Sequence, residues 1–208
     1  AVGTHTAVLT LTAANCQGWD DTSAAGGASA TVTLTAENTQ EATNDASVTT
    51  TANVTTEYAT FAQALAAANA TSGATLTLLR NVDLGTITAT NNITKAMTIH
   101  LNGKELRAAV NATSVGILTI TKAVAVTIKD SKTGGKIINE IARNSEIRTI
   151  FVNAAGASLT LESGTLAVNN LGQYASKAAT VNGVAVTAYT SCSARVIHQG
   201  AGSTVNIT

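Results

Sequence analysis

The chain contains no proline, and only six of its 208 residues are aromatic. A domain of this length ordinarily holds roughly ten prolines and is about a quarter charged; charged residues make up 12% of this one. Proline is excluded wherever a backbone N–H must donate to a neighbouring strand, so its absence points to a chain built mostly of hydrogen-bonded strands. Few charges beside 45% hydrophobic residues and a mean hydropathy of +0.21 exclude an acidic or basic disordered tail and support a packed interior. Collagen is excluded by the same composition. There is no run of about twenty apolar residues and no charged-then-apolar leader, so membrane insertion is not expected. The start at Ala1 reads as a processed N-terminus, as in a secreted, extracellular or cell-surface product.

Cysteine is almost absent. Cys16 and Cys192 lie near opposite ends of the chain, without metal-ligand spacing around them. The preferred reading is one long-range disulfide made in an oxidising compartment, with two buried free thiols as the alternative. Spacing leaves both open. Net charge is zero and pI about 7.1, which argues against nucleic acid as a partner. That neutrality is uneven. Residues 1–79 have no Lys or Arg but six acids, Asp20, Asp21, Glu37, Glu41, Asp45 and Glu57, whereas residues 80–208 carry all twelve bases against six acids. Such a dipolar chain attracts its own copies head to tail; a plain compositional difference between two regions reads equally well.

What the chain has in abundance is alanine and threonine, 39 and 37 residues. Residues 6–12 and 30–35 alternate between apolar residues and threonine and read as strands. Residues 36–54 are polar enough for an irregular connection or weak strands. A first segment, 1–55, is therefore expected to be a strand-rich assembly or capping arm. Thr60-Phe61-Ala62-Gln63 is a capping-box pattern, followed by Phe61, Leu65 and Ala68 on one face. It predicts one short helix at about 60–70, stopped by Gly73 and placed as a lid over the end of a strand stack.

From Thr75 onward the sequence repeats. Residues 117–129, 150–162 and 196–208 align without a gap, with starts 33 and then 46 residues apart. The motif extends upstream to Met97-Thr98-Ile99-His100 and Leu76-Thr77-Leu78. Downstream, a glycine and a third strand follow at Gly103, Gly135 and Gly164. Three short strands per repeat describe an all-β fold, a parallel β-helix solenoid spanning 56–208. In its register Met97, Val126, Leu159 and Val205 form one inward column and Ile99, Ile128, Leu161 and Ile207 another. Thr98, Thr127, Thr160 and Asn206 point outward, as do His100, Lys129, Glu162 and Thr208, with an ion pair expected between Lys129 and Glu162.

These residues resemble the right-handed parallel β-helix modules of bacterial cell-surface proteins, related in fold to pectate lyases. The likeness rests on Phe61 to Ala68 running into Ala74 to Leu79, on Met97 to Gly103, on Val126 to Asp130 with Gly134 to Ile137, and on Ala157 to Leu166, and covers about residues 57–208. It implies a right-handed winding and says little of activity, because such modules serve as stalks, adhesins and carbohydrate enzymes. Enzymes of this fold that cleave acidic polysaccharides use clustered carboxylates to hold Ca²⁺ and a Lys or Arg as base. The corresponding candidates, Asp130, Lys132, Glu140, Arg143, Glu146 and Arg148, alternate in sign and read as a solvated connection. No catalytic residue, metal or cofactor is therefore expected. His5, His100 and His198 are scattered, with His100 and His198 read as surface residues. Trp19 reads as packing near Cys16 rather than as a sugar platform. The five Asn-x-Thr sequons at Asn53, Asn69, Asn92, Asn111 and Asn206 occur about as often as chance gives and carry little information on glycosylation.

The last repeat stops at Val205-Asn206-Ile207-Thr208 without its glycine and third strand. An unfinished row leaves apolar side chains and unpaired amides. Two causes are open: a cut within a longer surface protein, or a continuation supplied by another chain. Reading from Ile207-Thr208 into Ala1-Val2-Gly3-Thr4 nearly reproduces Leu161-Glu162-Ser163-Gly164-Thr165. The expected assembly residues are thus Ala1, Val2, Gly3, Thr4, Val205, Ile207 and Thr208, and the expected partner is a copy of the same chain. The sequence points to a structural subunit of an extracellular fibre or surface layer. An adhesin or stalk binding glycan or host protein is the alternative, and a polysaccharide lyase the second.

Overall fold

The computed structural model describes residues 9–10, 29–30, 42–140, 146–169, 179–181, 184–186 and 194–208. The chain forms two compact units, Ala1–Glu41 and Ala42–Thr208. In the first, strands β1 (Leu9–Thr10) and β2 (Ser29–Ala30) pair antiparallel. Cys16, Trp19, His5, Ala1, Val2, Gly3 and Thr4, like Cys192 and Arg143 further on, lie outside the described residues.

The second unit begins before the expected boundary at 56, for a specific reason. Strand β3 (Ala46–Thr49) pairs antiparallel with β5 (Ala74–Leu78) and with β4 (Thr55–Tyr58), so of the two readings of this stretch, irregular connection or weak strands, residues 46–49 take the second. Between β4 and β5 lies α1 (Phe61–Ala70), which buries Phe61, Ala64, Leu65 and Ala68. Both halves of its capping box form: Thr60 Oγ1 accepts from the Gln63 amide, and Gln63 accepts from the Thr60 amide. Asp45 adds a second anchor, accepting from the Phe61 amide at 2.9 Å and from Arg80 Nη2 at 2.6 Å. The helix ends at Thr71, two residues before Gly73, the expected stop.

From β5 onward the strands enter three parallel sheets in fixed rotation. Sheet I contains β5, β8 (Met97–His100), β11 (Ala125–Lys129), β14 (Ser158–Leu161) and β19 (Thr204–Ile207). Sheet II contains β6 (Val82–Ile87), β9 (Glu105–Val110), β12 (Lys136–Glu140) and β15 (Thr165–Asn169). Sheet III contains β7 (Asn91–Ile93), β10 (Gly116–Ile120), β13 (Ile147–Val152) and β18 (Ala194–Gln199). Helix α1 packs on β3, β4, β5 and β7, at the first strands of sheets I and III. A hairpin of β16 (Ala179–Val181) and β17 (Val184–Val186) separates β15 from β18 in the chain. Among the described residues the protein is thus mostly strand, with one short helix and parallel sheets.

Period-two alternation sets the register of sheet I. Met97, Val126, Leu159 and Val205 pair in one column, and Leu76, Ile99, Ile128, Leu161 and Ile207 in the next, as the repeat predicts. Thr98, Thr127, Thr160 and Asn206 alternate with them. Each fully buried aliphatic side chain in these columns contributes about 1.5–3 kcal/mol. In sheet II, Glu105, Lys136 and Thr165 align, followed by Leu106, Ile137 and Leu166. Inside, Asn139 is fully buried and bonded through both ends of its amide: it accepts from the Val110 amide and donates to the Arg148 carbonyl.

Two register expectations need correction. The gap-free alignment puts Phe151 beside Leu118 and Ile197, but Ile150 takes that place. One residue is absorbed at the following corner, where Asn153 and Ala154 both donate to the Ile120 carbonyl, at 3.0 and 3.3 Å, the mark of a bulge. The expected Lys129–Glu162 ion pair is also not among those formed by the described residues, although the Glu162 amide still donates to the Ile128 carbonyl at 2.9 Å; a backbone bond at the strand end leaves two long, solvated side chains free to stay apart.

Candidate functional site

Three polar regions and one apolar edge are the places where this unit offers chemistry to its surroundings. The first is the corner between sheets I and II, a shallow recess of about 400 Å³ bordered by Asp130, Lys132, Gly135, Ser163 and Gly164. Asp130 accepts from the amides of Gly103 at 2.6 Å, Gly135 at 2.7 Å and Lys132 at 3.2 Å. Burial opposes its ionisation, but these three amides, with help from His100, outweigh that and hold the carboxyl below its ordinary value. Ser163 Oγ donates to the Asp130 carbonyl and accepts from its amide. The Asp130 carboxylate and the Ser163 hydroxyl are therefore engaged in fixing the turn. Nearby, His100 Nε2 accepts from the Ser131 amide at 3.3 Å and lies 2.8 Å from Ser131 Oγ. Burial, then the charges of Lys129 and Lys132, push its pKa down against the pull of Asp130.

The second region is the charged lattice of sheet II. Arg107 Nε donates to Glu105 at 2.6 Å, Lys136 Nζ to the other Glu105 oxygen at 2.9 Å, and Arg107 reaches Glu140 at 3.6 Å. Asn169 in the next strand donates to Glu140 at 3.1 Å. Opposite charges alternate from strand to strand, which ties rows together without leaving a free acid–base pair.

The third region lies on sheet III. Because Ile150 rather than Phe151 joins the buried column, Phe151 pairs with His198 and their rings stack, with centroids 4.6 Å apart at 11°. The Arg148 guanidinium lies 4.3 Å from the Phe151 centroid, and its Nε donates to His198 Nδ1. Arg195 is the register partner of Arg148. Burial and the positive charges of Arg148 and Arg195 press the His198 pKa down, with Glu146 opposing. His198 is half-buried and accepts at Nδ1, rather than standing as a free surface histidine.

The described residues among those weighed as a lyase-like face are not gathered at one place. Asp130 and Lys132 sit at the first corner, Glu140 on sheet II, and Glu146 with Arg148 on sheet III. No group of three or more His, Cys, Asp or Glu suited to a metal occurs among the described residues. The Phe151–His198 and Arg148–Arg195 pairs escaped the sequence reading, although a signal was present: Arg148-Thr149-Ile150-Phe151 and Arg195-Val196-Ile197-His198 share the order Arg, spacer, Ile, ring once the alignment is moved by one residue.

The fourth place is the last row. β19 pairs with β14 alone, β18 with β13 alone and β15 with β12 alone among the described residues. Burial along the central column changes accordingly: Leu76 and Ile99 are 0% exposed, Ile128 is 1%, Leu161 is half-buried, and Ile207 is 71% exposed. Val205 is half-buried, Thr208 is exposed, and Val196 on β18 is 37% exposed. At the other margin of sheet I, β4 is polar and exposed. No described helix is long and apolar enough to cross a membrane. Comparison with protein-family models, with curated proteins and with solved structures finds no match to the chain.

Proposed function

We propose that the three sheets wind around one interior as a right-handed parallel β-helix, and that the protein is a structural subunit of an extracellular fibre or surface layer. Subunits stack head to tail, the exposed last row of one against a second copy. The winding is supported by the strict rotation of strands through three sheets and by columns that keep register from β5 to β19. The assembly reading is carried by one observation: the aliphatic column ends in an Ile207 that is 71% exposed, on a strand with an unpaired edge among the described residues. Such an edge templates pairing with another chain. The partner is a second copy because the charge split, six acids and no bases in residues 1–79 against an excess of bases beyond, favours that polarity. A contact of unlike ends that does not close yields a fibre.

Electron microscopy and sedimentation of the purified chain test this. The expected result is elongated particles that shorten at high salt and disappear on Ile207→Asp, with the dilute monomer's unfolding midpoint unchanged. Deletion of residues 1–12 asks whether Ala1, Val2, Gly3 and Thr4 form the receiving surface, and assembly should then be lost. Monomers at every concentration in the unaltered chain, or undiminished assembly of Ile207→Asp, would refute the reading.

A further inference from the structure

On sheet III one buried charged group is left incompletely paired. Arg148 is 3% exposed, yet its Nη1 has neither a hydrogen-bond partner nor solvent among the described surroundings. An unsatisfied donor on a buried charge is costly, and the neighbours do not relieve it. Arg195 stands beside Arg148 in the next strand, and like charges facing across a ladder repel. Nε is engaged with His198 Nδ1, which makes the imidazole an acceptor at that nitrogen and leaves its proton on Nε2. Nη2 reaches Glu146 only at 3.4 Å; that carboxylate is 48% exposed and also accepts from Ser114 Oγ at 3.0 Å. Among the described residues, Glu146 is thus the one carboxylate that reaches Arg148, and it holds it loosely. Phe151 stiffens the arrangement, with the His198 ring stacked on it and the Arg148 guanidinium over it.

We propose that Arg148, Arg195 and His198 form an oxyanion-binding site on sheet III, in which one carboxylate, sulfate or phosphate group bridges the two guanidiniums. A guanidinium presents its N–H groups as a planar fork that matches two oxygens of such a group, which chloride does not offer. The bound anion would satisfy Nη1, separate two like charges electrostatically, and accept from His198 Nε2. Arg195 and His198 lie on β18, in the last row that the stacking of subunits would use, so anion binding is read on the dilute monomer, where it stands or falls independently of assembly.

Calorimetric titration of the full chain with sodium sulfate, sodium phosphate and sodium glucuronate, at an ionic strength fixed with sodium chloride, tests the proposal. At least one anion should bind saturably, and Arg195→Gln should weaken it about tenfold or more while the circular dichroism spectrum is kept. Preference for glucuronate assigns the site to carboxylates, as on an acidic sugar; preference for sulfate or phosphate assigns it to tetrahedral anions. If Arg195→Gln does not fold, the imidazole resonances of the unaltered chain give the answer: those of His198 should move with added anion and those of His100 should not. No saturable binding of any of the three, equal binding by Arg195→Gln, or an unmoved His198 would overturn it.

Discussion

A methyl group at position 135 would lie 2.5 Å from the Asp130 carboxyl carbon and 2.7 Å from Leu101 Cβ. Neither neighbour is free to retreat, since Asp130 is held by three amides and Leu101 is fully buried. Gly135→Ala should therefore destabilise the second unit by about 1–3 kcal/mol, read as a lower urea midpoint. Gly164 has a double constraint, a φ of +96° and Leu101 Cδ1 at 2.7 Å from its would-be Cβ. The glycine-plus-strand motif was legible in the sequence for this physical reason, although the sequence could not tell that the filler of the space is an aspartate. Asp130 also makes a pH prediction. Its folded pKa lies below the unfolded one, so its contribution is complete above the unfolded value and is lost as pH falls through the folded one. Glu105 behaves alike: burial opposes its ionisation, but Lys136 and Arg107 outweigh this. Stability of the unaltered chain should fall below about pH 4. Asp130→Asn should be less stable at pH 7 and show a shallower acid slope in denaturant titrations across pH 2–6, and equal slopes would contradict the account.

At the scale of the element, position along a column decides what a residue is worth. Ile128, with neighbours on both sides, is 1% exposed, whereas Ile207 at the margin is 71% exposed. Ile128→Ala should cost about 2–5 kcal/mol in thermal or urea unfolding of the dilute monomer, and Ile207→Ala less than about 0.5 kcal/mol. Strands β11, β14 and β19 were legible because a threonine, asparagine or serine interrupts the aliphatic residues at every second place, which leaves only one phase. Strand β13 was not. Its Ile150-Phe151-Val152 run is apolar at three successive places, so alternation cannot choose which member faces inward, and the choice was made by packing against Leu118 and Ile197. Strand β3 was left open between an irregular connection and weak strands for another reason: the stretch around Ala46-Ser47-Val48-Thr49 is polar, and its conformation comes from pairing with β4 and β5.

For the second unit as a whole, polarity is the dominant property. One margin of sheet I is polar, and α1 packs beside it on the first strands of sheets I and III, while the last strands of all three sheets lose burial together. The repeat spacing made that direction readable, since copies could be ordered along the chain. The charged groups were harder to read. Asp130, Glu140, Glu146 and Arg148 look like one scattered set in sequence, and only the three-sheet rotation separates them into a turn, a lattice and a stacked pair. A one-residue error in β13 was enough to hide the Arg148–Arg195 pairing, because a slip of one reverses every side chain in a strand.

The doubled amide contact at Ile120 has a bearing on how this kind of chain changes length. Asn153 and Ala154 share a single carbonyl, so one residue is taken up in the connection while Leu159 still meets Val126 and Ile150 still meets Leu118. Growth or shrinkage is quarantined in the corner. A gene encoding such rows tolerates small insertions there without having to re-invent its interior.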